Sequence, residues 1–399
     1  MKSKKLVCTI LIAGAFSALT GLAREQAFFR VAAESNTIIR SLSTDGYLSW
    51  SNAIASGTCT VETIDDLLIT NGWRSFILVP VDSTVESLRL FNLNAPSGMV
   101  YIPAGPFDMG NSFTNGDCGD QAELIEVPVH TVEVGAFYIE KYEVTKSLWA
   151  TVRDWAITNG YDFSSYSGAG QGPDHPVGSN SWYDCVKWCN ARSQMEGLDP
   201  CYYTNSNKTG LYTNGFFDVH TNGVKWNTTG YRLPTEAEWE KACRGGVSGT
   251  RFPWGDTITH SDANYFSSEN FSSNSYSTSP PCFFDLSPTR GYHPSYTNNG
   301  QPYTSPVGSF VPNGYGLYDM IGNVNEWCWD FYGTTYYASS PSTDPVGPAA
   351  SSFETNRMLR GGGWHGFDAT LYRCAYRMGN PPWEVTDNRG FRCVRSKLE

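Results

Sequence analysis

Between residues 24 and 93 the apolar positions fall in short runs rather than helical stripes. The stretches 28–31, 47–50, 59–61 and 76–81 are rich in Phe, Val, Ile, Tyr and Trp, and Asp-Gly, Ser-Gly or Asn-Gly pairs separate them. Such runs bounded by turn dipeptides predict strands joined by tight turns, so 24–93 reads as a small β module. No cluster of chemically reactive side chains marks it. The phrase Asn94-Ala-Pro-Ser-Gly98 interrupts the pattern and predicts a domain joint.

Beyond Gly98 two segments have helical signatures. Ser181-Trp-Tyr-Asp184 places a capping hydroxyl three residues before a carboxylate, with Val186, Cys189 and Ala191 inward; Thr235 and Glu238 form a capping box, with Trp239, Ala242 and Cys243 on the buried side. Long Ser, Asn, Gly and Tyr-rich stretches, 204–229 and 266–304, lie between and after them. Loops of that length need ions or disulfides to hold them in a compact domain. No internal repeat is evident.

Residues 1–23 read as a cleaved export leader: Lys2, Lys4 and Lys5 precede an apolar stretch at 6–16, and Gly21-Leu-Ala23 supplies small residues for cleavage. The apolar stretch is shorter than the roughly 20 residues a spanning helix needs. Cys8 inside that stretch, rather than at its end, disfavours a lipoprotein. The expected location is secreted or periplasmic, with no membrane span.

Composition sharpens this. Across 399 residues, 28 Lys and Arg face 39 Asp and Glu, a formal charge of −11, which excludes a partner held by phosphate neutralisation such as nucleic acid. Only 17% of residues are charged while 14% are aromatic, with 39 Gly, so the chain reads as a loop-rich globular protein built around aromatic side chains. Of 11 Cys, Cys8 lies in the leader, and an even number in an exported chain points to disulfides. No Cys-x-x-Cys or His-Glu-x-x-His phrase is present, so zinc ligation is not expected.

An ordered series of phrases then fills residues 98–396. It comprises Gly98-Met-Val-Tyr-Ile-Pro-Ala-Gly105 with Met109-Gly110, Phe137-Tyr-Ile-Glu-Lys-Tyr-Glu-Val-Thr145, and His175-Pro-Val177 before Ser181-Trp182. Tyr231-Arg-Leu-Pro-Thr-Glu-Ala-Glu-Trp-Glu240, Cys243-Arg-Gly-Gly246, Pro253-Trp-Gly255 and Asn313-Gly-Tyr-Gly-Leu-Tyr-Asp319 follow. Gly322-Asn-Val-Asn-Glu-Trp327, Arg360-Gly-Gly362 and Gly390-Phe-Arg-Cys393 close the series. The series resembles the formylglycine-generating enzyme, or sulfatase-modifying factor, family over roughly three quarters of the chain.

The resemblance implies an α+β, C-type-lectin-like fold with little regular secondary structure. It implies calcium held by the side chains of Asp319 and Glu326 and the carbonyls of Gly322 and Val324; two carboxylates flanking a tight turn also suit a hard cation on their own chemistry. The bland alternative is an acidic turn in which Glu326 caps a backbone amide. A second family calcium would use Asn264 and the Tyr265 carbonyl, with a downstream Asp that the sequence, which carries an insertion here, does not identify. The resemblance also pairs Cys189 with Cys393 and Cys243 with Cys374, leaving Cys59, Cys118, Cys185, Cys201, Cys282 and Cys328 unassigned.

Active relatives oxidise a substrate cysteine to formylglycine with oxygen, using two cysteines that bind copper(I) shortly after a Gly-Gly-Ser phrase. Here Gly363 stands at the serine and Gly366 at the first cysteine; Ala369 or Leu371 stands at the second, and Asn325 replaces a Trp. None offers the soft thiolate that copper(I) requires, so copper is not expected. His365 and Asp368 could suggest an acid and base, although with no nucleophile beside them a solvated loop is the simpler reading. Trp364, Phe367, Tyr372, Tyr376 and Trp383 make the segment aromatic, and with His365, Asp368 and Asn388 they suit a binding groove as well as a core. Asn388 keeps a position that contacts peptide substrate in the family. Three functions follow: a non-catalytic binding or scaffold protein with a peptide, protein or glycan ligand, an active oxidase using relocated cysteines, and a variable ligand-binding protein of the same fold.

Overall fold

The structure is a computed structural model. It describes 95–113, 125–165, 167–268, 282–299, 301–349, 355–366 and 368–397 in full, together with the backbone of the strands before residue 90. Phe367, Cys118 and the side chain of Cys59 lie outside the described residues. The chain divides into two compact units: Met1–Ala95 with Gly245–Val247 and Asn313–Tyr315, and Pro96–Arg244 with Ser248–Pro312 and Gly316–Glu399.

The first unit holds two antiparallel sheets. Strands β1 (Leu6–Thr9), β2 (Phe28–Ala33), β5 (Gly57–Ile64) and β6 (Arg74–Val81) form one in the order β1-β2-β5-β6. Strands β3 (Thr37–Leu42), β4 (Tyr47–Asn52) and β7 (Val85–Arg89) form the other. All four expected β runs fall within strands, and β3 and β7 are additional. Strand β1 lies inside the stretch read as leader and pairs with β2, Leu6 opposite Ala33. An apolar run with a β-branched residue fits an open sheet edge as readily as a leader, and cleavage after Ala23 would leave β2 as that edge.

In the second unit, β8 (Met99–Ile102), β11 (Phe137–Glu140) and β18 (Val394–Ser396) form a sheet in the order β18-β11-β8, while β9 (Gly105–Met109) pairs with β10 (His130–Val134). Strands β12 (Thr297–Asn298) and β13 (Gln301–Pro302) make a short pair. Strands β14 (Asn325–Phe331), β15 (Arg357–Arg360), β16 (Met378–Asn380) and β17 (Arg389–Gly390) form a mixed sheet, β16-β15-β14-β17, in which β14 and β17 run parallel. With three α-helices among the described residues, the class is α+β.

The helices are α1 (Lys146–Thr158), α2 (Trp182–Met195) and α3 (Glu236–Arg244). Both expected caps form: Asp184 N–H donates to Ser181 Oγ at 3.1 Å, and Thr235 and Glu238 cap each other reciprocally at 2.8 and 3.2 Å. Helix α1 was not among the expected helices. Thr145 caps it by accepting from Leu148 N–H, and Trp149, Val152 and Ala156 turn inward. Trp149 stacks on Trp188 of α2 at 5.8 Å, and Phe391 meets both rings edge-on.

Helix α3 departs from the one-sided burial its pattern predicts, because all nine of its residues are buried. Its acids are matched by four arginines, of which Arg360 and Arg377 come from far along the chain. Arg377 grips Glu236 at 2.6 and 2.7 Å, Arg232 grips Glu238 through two 2.6 Å bonds, and Glu240 joins Arg244 and Arg360 while accepting Gly110 N–H. Burial alone would raise the Glu240 carboxyl, but Arg244 and Arg360 hold it below its ordinary range.

Buried polar side chains organise the loops that seemed to call for ions. Asn190 accepts Cys201 and Tyr202 N–H and donates to the Tyr202 and Tyr212 carbonyls. Further on, Asp285 accepts from Tyr265 Oη at 2.7 Å and Ser267 Oγ at 2.8 Å, and Arg290 approaches it at 3.2 Å.

Candidate functional site

The acidic turn and the groove are adjacent and share backbone bonds. Asp319, Gly322 and Asn323 all have left-handed φ, at 54°, 81° and 61°. At Gly322 only glycine fits, since a Cβ would press within 2.5 Å of the Asn264 carbonyl. Asn323 N–H donates to that carbonyl at 2.8 Å, its own carbonyl accepts Trp364 N–H at 2.7 Å, and Gly322 N–H reaches Gly361. The turn thereby fixes the start of the 361–366 loop.

Two features bear on a hard cation. Asp319 is 7% exposed; its Oδ2 accepts Gly308 N–H at 2.6 Å, while Oδ1 has no hydrogen-bond partner among the described residues. Burial pushes the Asp319 carboxyl up to about 6. An orphaned, buried carboxylate oxygen fits a calcium ligand. Glu326, expected to give side-chain oxygens to the same ion, is instead engaged. Arg392 Nε bonds to its Oε1 and Oε2 at 3.0 and 2.8 Å, Arg392 Nη2 bonds to Oε1 at 2.6 Å, and Trp239 Nε1 donates to Oε2 at 2.8 Å. Each oxygen already accepts two bonds, which also replaces the backbone-capping alternative.

Sequence reasoning missed Glu143, although it stands in the quoted 137–145 phrase. It is 2% exposed and reaches into this turn: Asn323 Nδ2 donates to its Oε2 at 2.7 Å, and Val324 N–H to its Oε1 at 3.3 Å. Burial first, then the charges of Asp319 and Glu326, raise its carboxyl well above the ordinary range. The second expected donor pair makes one contact each, neither of them through the Asn264 side-chain oxygen. Asn264 donates to the Tyr303 carbonyl at 3.0 Å, and the Tyr265 carbonyl lies 3.2 Å from His260 Nε2.

The groove residues separate by role. His365 is exposed and stacks on Tyr292 at 6.0 Å, and Trp364 packs beside both rings but is itself buried. Asp368 does not sit in a solvated loop. It is 5% exposed and caps the 3-10 turn Ala369–Tyr372 through Thr370. Asn388 is half-buried; its Oδ1 accepts Thr386 Oγ1 at 2.7 Å and its carbonyl accepts Asn325 N–H at 2.8 Å. Of the aromatic strip, Tyr372 belongs to the core and Trp383 is 57% exposed.

The substituted positions meet in space. A Cβ on Gly363 would come within 2.8 Å of Asn325 Nδ2 and 3.3 Å of Asn388 Cβ. At Gly366 a Cβ would overlap the Tyr372 hydroxyl, which donates to the Gly363 carbonyl at 3.0 Å and accepts Phe266 N–H at 3.1 Å. The described cysteines lie in the interior. Cys189 and Cys393 face each other at 3.6 Å and Cys243 and Cys374 at 3.5 Å, in contact but longer than the about 2.05 Å of a disulfide. Burial pushes the Cys185, Cys201 and Cys328 thiols up, and Cys282 is disulfide-bonded.

Comparison with known proteins agrees with this architecture. The sulfatase-modifying factor enzyme 1-like domain matches residues 88–397. The formylglycine-generating enzyme of Streptomyces coelicolor is 34% identical over 316 residues, covering 74% of this chain and 88% of its own; that of Mus musculus is 32% identical over 322 residues, covering 75% of each. Among solved structures, Treponema denticola variable protein 1 superposes with a TM-score of 0.51 at 29% identity, covering 74% of this chain and 94% of its own. A matched domain spanning the second unit, and relatives aligned over most of their length, establish that the chain belongs to the sulfatase-modifying factor, or formylglycine-generating enzyme, domain family.

Proposed function

We propose that this chain is an exported binding or scaffold member of the family that holds a peptide, protein or glycan in the groove beside Trp364, His365 and Asn388 without oxidising it. The observation that carries the reading is Gly366. It stands where the resemblance implies the first copper thiol, and the space a side chain would need there is taken by the Tyr372 hydroxyl. Gly363, Ala369 and Leu371 add no soft donor, so the local side chains do not fit copper(I). Calcium would act as an oxygen-bound cross-link at the 319–324 turn, held by Asp319 with the Gly322 and Val324 carbonyls. Export rests on the leader-like stretch 1–23.

The test is direct. Incubating the full chain with copper, oxygen, reductant and a peptide bearing Cys-x-Pro-x-Arg should give no conversion of thiol to aldehyde by mass. Turnover above a Trp364→Ala, Asn388→Ala control would show that other cysteines perform the oxidation and would overturn the reading. The active-oxidase alternative is favoured by the named activity of the enzymes from Streptomyces coelicolor and Mus musculus. The variable-binder alternative is favoured by the likeness to the Treponema denticola variable protein, and variation among sibling sequences confined to 364–386 would select it.

A further inference from the structure

The ring on which His365 stacks, Tyr292, belongs to the long 266–304 stretch rather than to the 361–388 part of the groove, and it meets Phe266 edge-on at 4.8 Å. Two attachments fix its backbone. On one side Gly291 and Ser267 exchange backbone bonds of 2.8 and 2.6 Å. On the other stands His293, which is 8% exposed and commits both ring nitrogens to the main chain.

His293 Nε2 lies 2.8 Å from the His260 carbonyl, and Nδ1 lies 3.1 Å from Ser295 N–H. A carbonyl only accepts and an amide N–H only donates, so Nε2 carries the hydrogen and Nδ1 must be bare. This neutral tautomer ties residue 293 back to residue 260 and caps the 3-10 turn Pro294–Tyr296. A second proton has only Nδ1 to occupy, where it would meet the Ser295 N–H head-on and remove the cap. No counter-charge offsets it. The rings facing His293 are His260 at 5.1 Å, Tyr296 at 4.7 Å and Phe310 at 5.6 Å. Asp285 acts on His260 and is itself held by Arg290 at 3.2 Å, and among the described residues no carboxylate pairs with His293. Burial accordingly holds the His293 imidazole below its ordinary value, against the opposing effect of its bond to the His260 carbonyl.

We propose that His293 is an acid-sensitive latch on the groove wall: neutral, it keeps the Pro294–Tyr296 turn closed and Tyr292 against His365 and Trp364; protonated, it releases the turn and loosens Tyr292. In the open turn the imidazole titrates near about 6.5. The closed turn takes up the proton only at lower pH, so acidification below that value favours opening. Weaker ligand binding in acid rests on the proposed function of the groove, whereas the latch itself does not.

Hydrogen exchange of the full chain, followed by mass spectrometry over 291–298 and corrected for the intrinsic pH dependence of amide exchange, reads the turn directly. Opening in the wild type should rise about fivefold between about pH 7.5 and about pH 5.5. In His293→Asn, whose amide oxygen caps Ser295 N–H without titrating, it should stay within about twofold. His260 and His365 remain in that variant, so a rise that persists there would overturn the assignment to His293, and a flat wild-type profile would overturn the latch. Should His293→Asn fail to fold, carbon-13 NMR of the wild-type imidazoles decides. A His293 signal titrating at or above about 6.5 overturns the latch, and one titrating lower, in step with exchange at 291–298, supports it. Neither readout uses a ligand, so a chain that shows the switch yet binds nothing in the groove keeps the latch and refutes only the proposed function.

Discussion

Gly366 and Tyr372 show how one side chain can settle a neighbour's identity. The Tyr372 hydroxyl closes onto Gly363 and Phe266 and occupies the volume in which any Cβ at 366 would sit. Installing a thiol there, as Gly366→Cys, should cost about 1–3 kcal/mol through overpacking, and Tyr372→Ala added to it should relieve the clash while introducing its own cavity loss. Urea denaturation of the single variant with an unchanged midpoint would contradict this. The glycine was readable from the sequence; what fills the space was not, because the occluding ring belongs to a residue that looked like one member of an aromatic strip. Asp368 teaches the same lesson in reverse. Its proximity in sequence to His365 suggested paired chemistry, while its side chain is committed two residues away to Thr370. Glu143 escaped notice because nothing local distinguishes a buried acid in a strand-like phrase from an exposed one.

Helical caps were legible because they are local: Ser181 with Asp184, and Thr235 with Glu238, contain their own hydrogen-bond partners. Helix α1 was not, since Thr, Val, Ile and Trp carry weak helical preference and no acid follows its Thr145 cap at the third position; the inward spacing of Trp149, Val152 and Ala156 was the available signal. The full burial of α3 could not be read at all, as Arg360 and Arg377 lie 120 and 141 residues from the acids they pair with. That burial has a measurable cost at Lys241. It is 5% exposed, its Nζ donates to the Gly105 and Val134 carbonyls at 2.7 and 3.3 Å, and burial pushes its pKa down to about 8 despite Asp344, Glu133 and Glu238. The unfolded chain keeps lysine near about 10.4, so between the two values it binds more protons than the folded chain, and stability rises with pH. Relative to Lys241→Met, the wild type should therefore gain up to about 3 kcal/mol between pH 7.5 and 10.5. A difference that stays flat across that window would refute the assignment.

Across the second unit, order comes from contacts between distant segments. The facing sulfurs of Cys189 with Cys393 and of Cys243 with Cys374 span 204 and 131 residues. If the protein matures under oxidising conditions, each bond would stabilise it by nominally about 4–5 kcal/mol through chain entropy. Peptide mapping without reduction should recover both links, and reduction should lower the melting temperature; either pair recovered as thiols in exported protein would contradict the expectation. The family's phrases were legible at this scale because each supplies a node of the core, and the pairing of nodes was not, being set by topology. Strand β11 illustrates the consequence. Its two neighbours are β8, at the start of the unit, and β18, at its end, with nearly 300 residues of chain between them. During synthesis one edge of β11 stays bare until Val394–Ser396 emerges, and until then Glu326 has no Arg392 and Cys189 no Cys393. The domain is thus completed by its final few residues, so a nascent or C-terminally clipped chain holds its acids and thiols without their partners.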